Sequence, residues 1–237
     1  MNTRIVPLLA SALLVSAACA AAPSHFFITA NVGLFNANPG ESNTFAIGQA
    51  GLPFTYNVAS GSQQKMSYGV GFGYRLAMGS AFYWQSSINY QHLGKFTVKG
   101  AVLGAQDMGY QYQAQSSAWI LRNDFVYSSS DSNSLWHTLT PYAGVSLGYA
   151  QNKSNDFSST AKEGGIDFTS GSQSNFAWGV DVGLAYHFAE HNSVAFELNY
   201  LNLGKGGALS SATGQSLQVG RITGLNMRLS YNYFFSM

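Results

Sequence analysis

Six charged residues interrupt stretches that are otherwise uncharged: Arg75, Arg122, Asp124, Asp181, Glu197 and Arg228. Three positive and three negative groups in a confined interior would pair into salt bridges, or else line a narrow ion path. Farther along, His191 and Ser193 stand two apart with Glu197 downstream, the residue types of a base, a nucleophile and an orienting carboxylate. Such a triad needs its three groups within hydrogen-bond reach, and this spacing alone does not provide that. The cluster GVGFGYR, from Gly69 to Arg75, has the glycine content of a phosphate loop. Its glycines fall at every second position, however, and no helical pattern follows to aim an N-terminus at phosphate. Asp156, Glu163 and Asp167 offer oxygen ligands without the order of an EF-hand, and His25, His92, His137 and His187 lack metal-ligand spacing. The expectation is therefore no catalytic residues, no metal and no cofactor.

The elements that must position these groups are strands. Phe176 to Phe188, FAWGVDVGLAYHF, alternates over its whole length. Phe176, Trp178, Val180, Val182, Leu184, Tyr186 and Phe188 take one face; Ala177, Gly179, Asp181, Gly183, Ala185 and His187 take the other. The first face is apolar with aromatics at both ends, which suits lipid; the second is small or polar. About ten residues of a tilted strand cross the ~25 Å apolar band of an outer membrane.

The same alternation recurs over His25–Phe35, Tyr68–Met78, Phe82–Gln91, Tyr110–Tyr127, Leu139–Tyr149, Val194–Tyr200 and Leu225–Phe235, which makes eight strands. The fourth is the least regular: Arg122 and Asp124 read as inward, Trp119, Leu121, Phe125 and Tyr127 as outward, and Ile120 breaks the pattern. The intervals between strands alternate in length as well. Residues 36–66, 93–109, 151–173 and 204–216 form long gaps, and 79–80, 128–137 and 189–192 short ones. This predicts an all-β, antiparallel, up-and-down transmembrane barrel of eight strands, with four long extracellular loops, three short periplasmic turns and both termini in the periplasm. Lys65, Lys95, Lys99, Lys153, Lys162 and Lys205 all fall in a long gap or at its edge, so no lysine is expected inside a strand.

Composition agrees. Only 9% of residues are charged, against an ordinary ~25%, and mean hydropathy is zero because apolar and polar residues alternate. No run of eighteen apolar residues suggests a membrane helix. A soluble barrel or sandwich would have to turn the glycine-rich face to water, which weakens strands and leaves edges unprotected. A formal charge of +1 gives no basis for nucleic-acid binding.

At the N-terminus, Arg4, an apolar run from Ile5 to Val15 and small residues through Ala22 read as an export signal over residues 1–20, cleaved after Ala20 or Ala21. The barrel domain would then occupy residues 21–237. Cys19 lies inside the signal, so the mature chain has no thiol.

The segment TPYAGVSLGYA, Thr140 to Ala150, resembles a strand of the opacity-family and OmpA-like eight-stranded outer-membrane surface barrels; Pro141, Tyr142, Gly144, Gly148 and Tyr149 match, and Ser146 replaces a usual glycine. The closing LNMRLSYNYFF is similar to that family's last strand, although Ser236 and Met237 follow its aromatic end. The resemblance implies a surface antigen or adhesin-like protein of the Gram-negative cell envelope, located in the outer membrane and placed there by the outer-membrane assembly machinery. His191 and Ser193 also have the spacing of the lipid A deacylases, but here the pair falls in a periplasmic turn, whereas those enzymes work near the outer rim.

The chain is thus expected to be non-enzymatic and envelope-structural or surface-interacting. Its lumen would be plugged by Arg75, Arg122, Asp124, Asp181, Glu197 and Arg228, with Glu197 and Arg228 paired on neighbouring strands. The alternatives are a narrow conduit for ions or small hydrophobic molecules, and a lipid A-modifying enzyme. Expected partners are outer-membrane lipid and an extracellular or host ligand at the loops. Lipopolysaccharide phosphates are expected at Lys95, Lys99, Lys153 and Lys205. In the first long loop, Phe45, Ile47, Leu52, Phe54 and Tyr56 would pack over the mouth or form a contact surface.

Overall fold

A computed structural model describes residues 24–40, 44–46, 53–58, 61–103, 109–131, 133–159, 168–211, 216–217 and 220–235. The expected signal segment, Ser236 and Met237 lie outside them, as do Lys162, Glu163, Asp167, Ile47 and Leu52 and the side chains of Phe45, Phe54 and Tyr56.

Eight antiparallel strands close a barrel: β1 (Ser24–Asn38), β2 (Gln63–Ala77), β3 (Phe82–Leu103), β4 (Gly109–Tyr127), β5 (Leu139–Ser159), β6 (Gly171–Ala189), β7 (Asn192–Lys205) and β8 (Arg221–Phe235). Each pairs with the next, and β8 pairs with β1 from Phe26↔Phe235 to Asn38↔Thr223. Closure leaves the barrel wall without an edge, which a hydrocarbon surround demands because it offers backbone groups no partner. Val32, Val70, Phe125 and Val182 stand 54–61% exposed on the outer face, where lipid and not water is the solvent. Aromatic rings band both ends of this face. Tyr90, Trp119, Tyr149 and Phe176 lie in one cross-strand row at the outer end. At the inner end, Phe26 and Tyr74 approach to 5.1 Å and Phe82 and Tyr127 to 5.5 Å between ring centroids.

The strands run farther than the sequence pattern suggests. β3 has 22 residues and β5 has 21, about twice what the membrane requires. The predicted gap 93–109 is mostly a continuous β3–β4 hairpin that pairs as far as Ala101↔Gly109, and Pro53–Val58 adds to its free edge. Lys65, Lys95, Lys99 and Lys153 therefore lie within strands, contrary to expectation, and Lys205 ends one. Outside the membrane a strand still gains by pairing, so nothing ends it at the membrane surface.

Three β-bulges at this outer level hide the continuation from a period-two reading. They lie at His92/Lys95 in β3, opposite Gln111/Gln113 in β5, and at Asn202/Lys205 in β7. Each inserts one residue, and a one-residue slip moves every later side chain to the other face. In β3 the inward residues are Asn89, Gln91 and Leu93 before the bulge, then Phe96 and Val98 after it, so Lys95 and Lys99 turn outward. Gly94 carries the bulge at φ +80°; a side chain there would be strained and would also meet Met66 O at 2.8 Å. In β5 the extra residue is Asp156 at φ 55°, a left-handed backbone that aspartate tolerates better than most. Phe157 then packs inward against Tyr110 and Phe168.

At two places on the outer rim, side-chain amides stand in for backbone pairing. Asn175 accepts from Lys205 N at 3.2 Å and donates to Lys205 O at 2.7 Å. Gln63 accepts from Thr97 N at 3.1 Å and also donates to Thr97 O. At the periplasmic side the turn between β4 and β5 holds a four-residue helix, α1 (Leu135–Thr138), which alternation gave no reason to expect; Ser134 caps it by accepting from Trp136 N at 3.3 Å.

Candidate functional site: the filled lumen and the basic outer rim

The inward residues are layered along the barrel axis. Nearest the periplasm, Phe27 and Phe234 pack at 5.5 Å between centroids. Above them sits the charged layer. Arg122 Nε lies 3.0 Å from Asp181 and 3.0 Å from Asp124, and its Nη1 reaches Glu197. Glu197 is directly opposite Arg228 in the β7–β8 register and accepts from Arg228 Nη2 at 2.7 Å and from Ser230 Oγ. All five charged residues are almost wholly out of solvent, Arg122 being the most exposed at 9%. Gly144 is what lets the acids converge: it stands between Asp124 and Asp181 across three strands, and a side chain there would occupy the position of the Asp124 carboxylate.

The predicted pair, Glu197 with Arg228, is present, and Arg122, Asp124 and Asp181 join it. Arg75 does not. Its Nε and Nη2 donate to Gln85 Oε1 at 3.1 and 2.9 Å, and its guanidinium stacks 4.4 Å over Phe234. The physical reason is axial position: Arg75 is opposite Gln85 in the β2–β3 register, and it turns toward the periplasmic mouth, where two aromatic rings hold it, Tyr83 being the second at 5.7 Å. The network therefore has two arginines against three carboxylates. The space between it and Arg75 is about 20 Å³, room for about one water.

Farther out come uncharged polar side chains, such as Ser67, which donates to Asn226 at 2.8 Å. Then comes an apolar layer that sequence reading did not anticipate. Phe35, Leu93, Phe96, Leu201, Leu203 and Ile222 are at most 1% exposed and form one cluster. Ile120, which broke the fourth strand's pattern, faces inward and belongs to this layer. Of these only Phe96 lies beyond a bulge and out of its strand's earlier phase; Leu93, Leu201, Leu203 and Ile222 keep the inward phase but lie past the expected strand ends.

Ser193 and His191 are not assembled as a base and nucleophile. Ser193 is wholly buried in the lumen and accepts from Asn232 Nδ2 at 3.2 Å, whereas the His191 ring packs 6.2 Å from Tyr233. Among the described residues no group of three His, Cys, Asp or Glu is arranged to hold a metal ion.

On the outer face, the four lysines singled out from sequence are exposed. Lys95 is opposite Gln115, and Gln115 is opposite Lys153, so Lys95, Gln115 and Lys153 form a row across three strands above the aromatic band. Lys205 is directly opposite Arg221, also exposed, a residue that sequence reading passed over. Like charges placed opposite each other repel unless an anion lies between them.

Among curated proteins none matches the chain in sequence. Solved structures are similar to it in fold. Neisserial surface protein A is 14% identical with a TM-score of 0.47, the match covering 89% of this chain and 97% of that one. OprG from Pseudomonas aeruginosa is 10% identical with a TM-score of 0.49, covering 91% and 98%. Ail, the attachment invasion locus protein of Yersinia pestis, is 10% identical with a TM-score of 0.44, covering 91% and 100%. A family model described as the outer membrane protein beta-barrel domain matches residues 6–233, nearly the whole chain. With a closed eight-stranded barrel, a lipid-facing apolar surface and a charged interior, the chain belongs to the outer membrane β-barrel domain family.

Proposed function

We propose that this protein is a non-conducting, non-enzymatic outer-membrane scaffold whose extracellular strand extension and loops make its contacts. The observation that carries this reading is the double closure of the lumen, by the Arg122–Asp124–Asp181–Glu197–Arg228 network and by the apolar layer above it. An ion would have to displace a set of buried, mutually paired charges and then cross a layer whose side chains are mostly apolar and replace little of its hydration. The test is single-channel recording in planar bilayers. The purified barrel is expected to give no stable conductance, and Arg228→Ala none either, because the apolar layer remains. Steady conductance from the unmodified protein would favour the narrow-conduit reading instead.

The outer rim supports a partner as well: lipopolysaccharide, held through its phosphates. Lys95 and Lys153 lie in one row, Lys99 lies farther out on β3, and Lys205 faces Arg221, all exposed just outside the aromatic band where lipid head groups begin. Replacing Lys95, Lys99, Lys153 and Lys205 together by glutamine should weaken binding to lipopolysaccharide micelles by at least about tenfold at low salt. Each contact contributes on the order of 1 kcal/mol and is screened as salt rises. Unchanged binding would leave these lysines with no role beyond solubility.

A further inference from the structure

We propose that the periplasmic mouth of the barrel is a binding site for a phosphate group, anchored by the Arg75 guanidinium. The mouth encloses a cavity of about 480 Å³, within the range of small-ligand sites, and Arg75 forms part of its floor. Among the described residues no carboxylate lies within ion-pair distance of Arg75, whereas Arg122 and Arg228 both have one. Its Nε and Nη2 are spent on Gln85, which leaves Nη1 to donate. Stacking on Phe234 and on Tyr83 fixes the guanidinium plane before any ligand arrives, so little entropy is lost on binding.

The rest of the cavity suits the same ligand. His25, His137 and His187 line it from three different elements. Backbone carbonyls orient two of the rings: His25 Nδ1 meets Phe235 O at 3.4 Å, and His137 Nδ1 meets Ser129 O at 3.0 Å. Ser128 and Thr138 add hydroxyls, and Glu190, in the β6–β7 turn, is the carboxylate of the described lining. Donors approaching from several directions match a tetrahedral phosphate better than a planar carboxylate. The same cavity opens beside the inner-leaflet head groups, so the phosphate can belong to a free periplasmic solute or to a phospholipid.

The experiment uses the barrel folded in non-ionic glucoside micelles, which carry no phosphate, with NMR of the arginine side-chain Nε–H resonances. Inorganic phosphate is expected to shift the Arg75 resonance saturably and to leave Arg122 and Arg228 in place. Arg75→Gln should weaken phosphate binding by about tenfold or more, and Arg75→Lys, which keeps the charge but loses the planar fork, should weaken it less. If inorganic phosphate is silent but dihexanoyl phosphatidylglycerol shifts Arg75, the site stands and the lipid head group is its ligand. The proposal falls if neither probe moves Arg75, if sodium chloride at equal ionic strength moves it equally, or if a folded Arg75→Gln barrel binds phosphate unchanged.

Discussion

Arg122→Ala will lower the unfolding free energy of the barrel by about 3–5 kcal/mol, the cost of leaving buried charge without its partner. Among the described residues Arg122 is the sole cation in ion-pair contact with Asp124 and Asp181, and it shares Glu197 with Arg228. Its removal strands two carboxylates beside a space that holds about one water. Arg122→Lys should lose less, since an ammonium keeps the charge but cannot face all three acids at once. The measurement is urea-induced unfolding in lipid vesicles followed by tryptophan fluorescence, repeated on Arg122→Ala combined with Asp181→Asn. Recovery of part of the loss in the double variant assigns the effect to charge. A loss below about 1 kcal/mol for Arg122→Ala would mean that the network only fills space.

The second large effect is expected from Phe35→Ala, at about 3–5 kcal/mol, for a reason unrelated to charge. Phe35 is completely buried in the apolar layer, and its ring packs so tightly under Gly224 that a Cβ there would lie 2.6 Å from two ring carbons. Truncation leaves a cavity that rigid strands on all sides cannot close. Phe35→Leu should cost far less. Hydrogen exchange locates the damage: the amides of Val98 and Ile222 in the outer half should exchange faster in Phe35→Ala, while those around Glu197 keep their protection. Uniform loss of protection would show that the two layers unfold as one unit.

These two layers differ in how far the sequence reveals them. The charged layer is legible because Asp181, Glu197 and Arg228 sit on the inward phase of cleanly alternating strands, and Arg122 and Asp124 on that of the less regular fourth strand, and a charge in such a position has to find a partner. Which charges meet is less legible. Glu197 and Arg228 are neighbours in a predictable hairpin, but Arg122 reaches Asp181 only because β5 presents Gly144 between β4 and β6, a matter of register. Arg75 carries the same sequence signal as the others and yet stays out of the network, because its height along the axis is set by strand stagger, which period two does not record.

By itself the sequence determined the eight crossing strands, their lipid and lumen faces, the alternation of long and short connections and the presence of buried charge. All of these follow from a local rule: successive side chains point to opposite faces, and a bilayer accepts only one kind on its side. The tertiary structure alone decided the long extracellular extension, the apolar layer inside it and the outward turn of Lys95 and Lys205. The outward turn of Lys95 and Lys205, and the inward turn of Phe96, Val98 and Phe157, depend on bulges at Gly94, near Gly204 and at Asp156 that reverse the phase of everything beyond them, and the rest of the layer depends on pairing that continues past the membrane. A bulge forms where a partner strand leaves one residue unpaired, and only the assembled barrel specifies that partner.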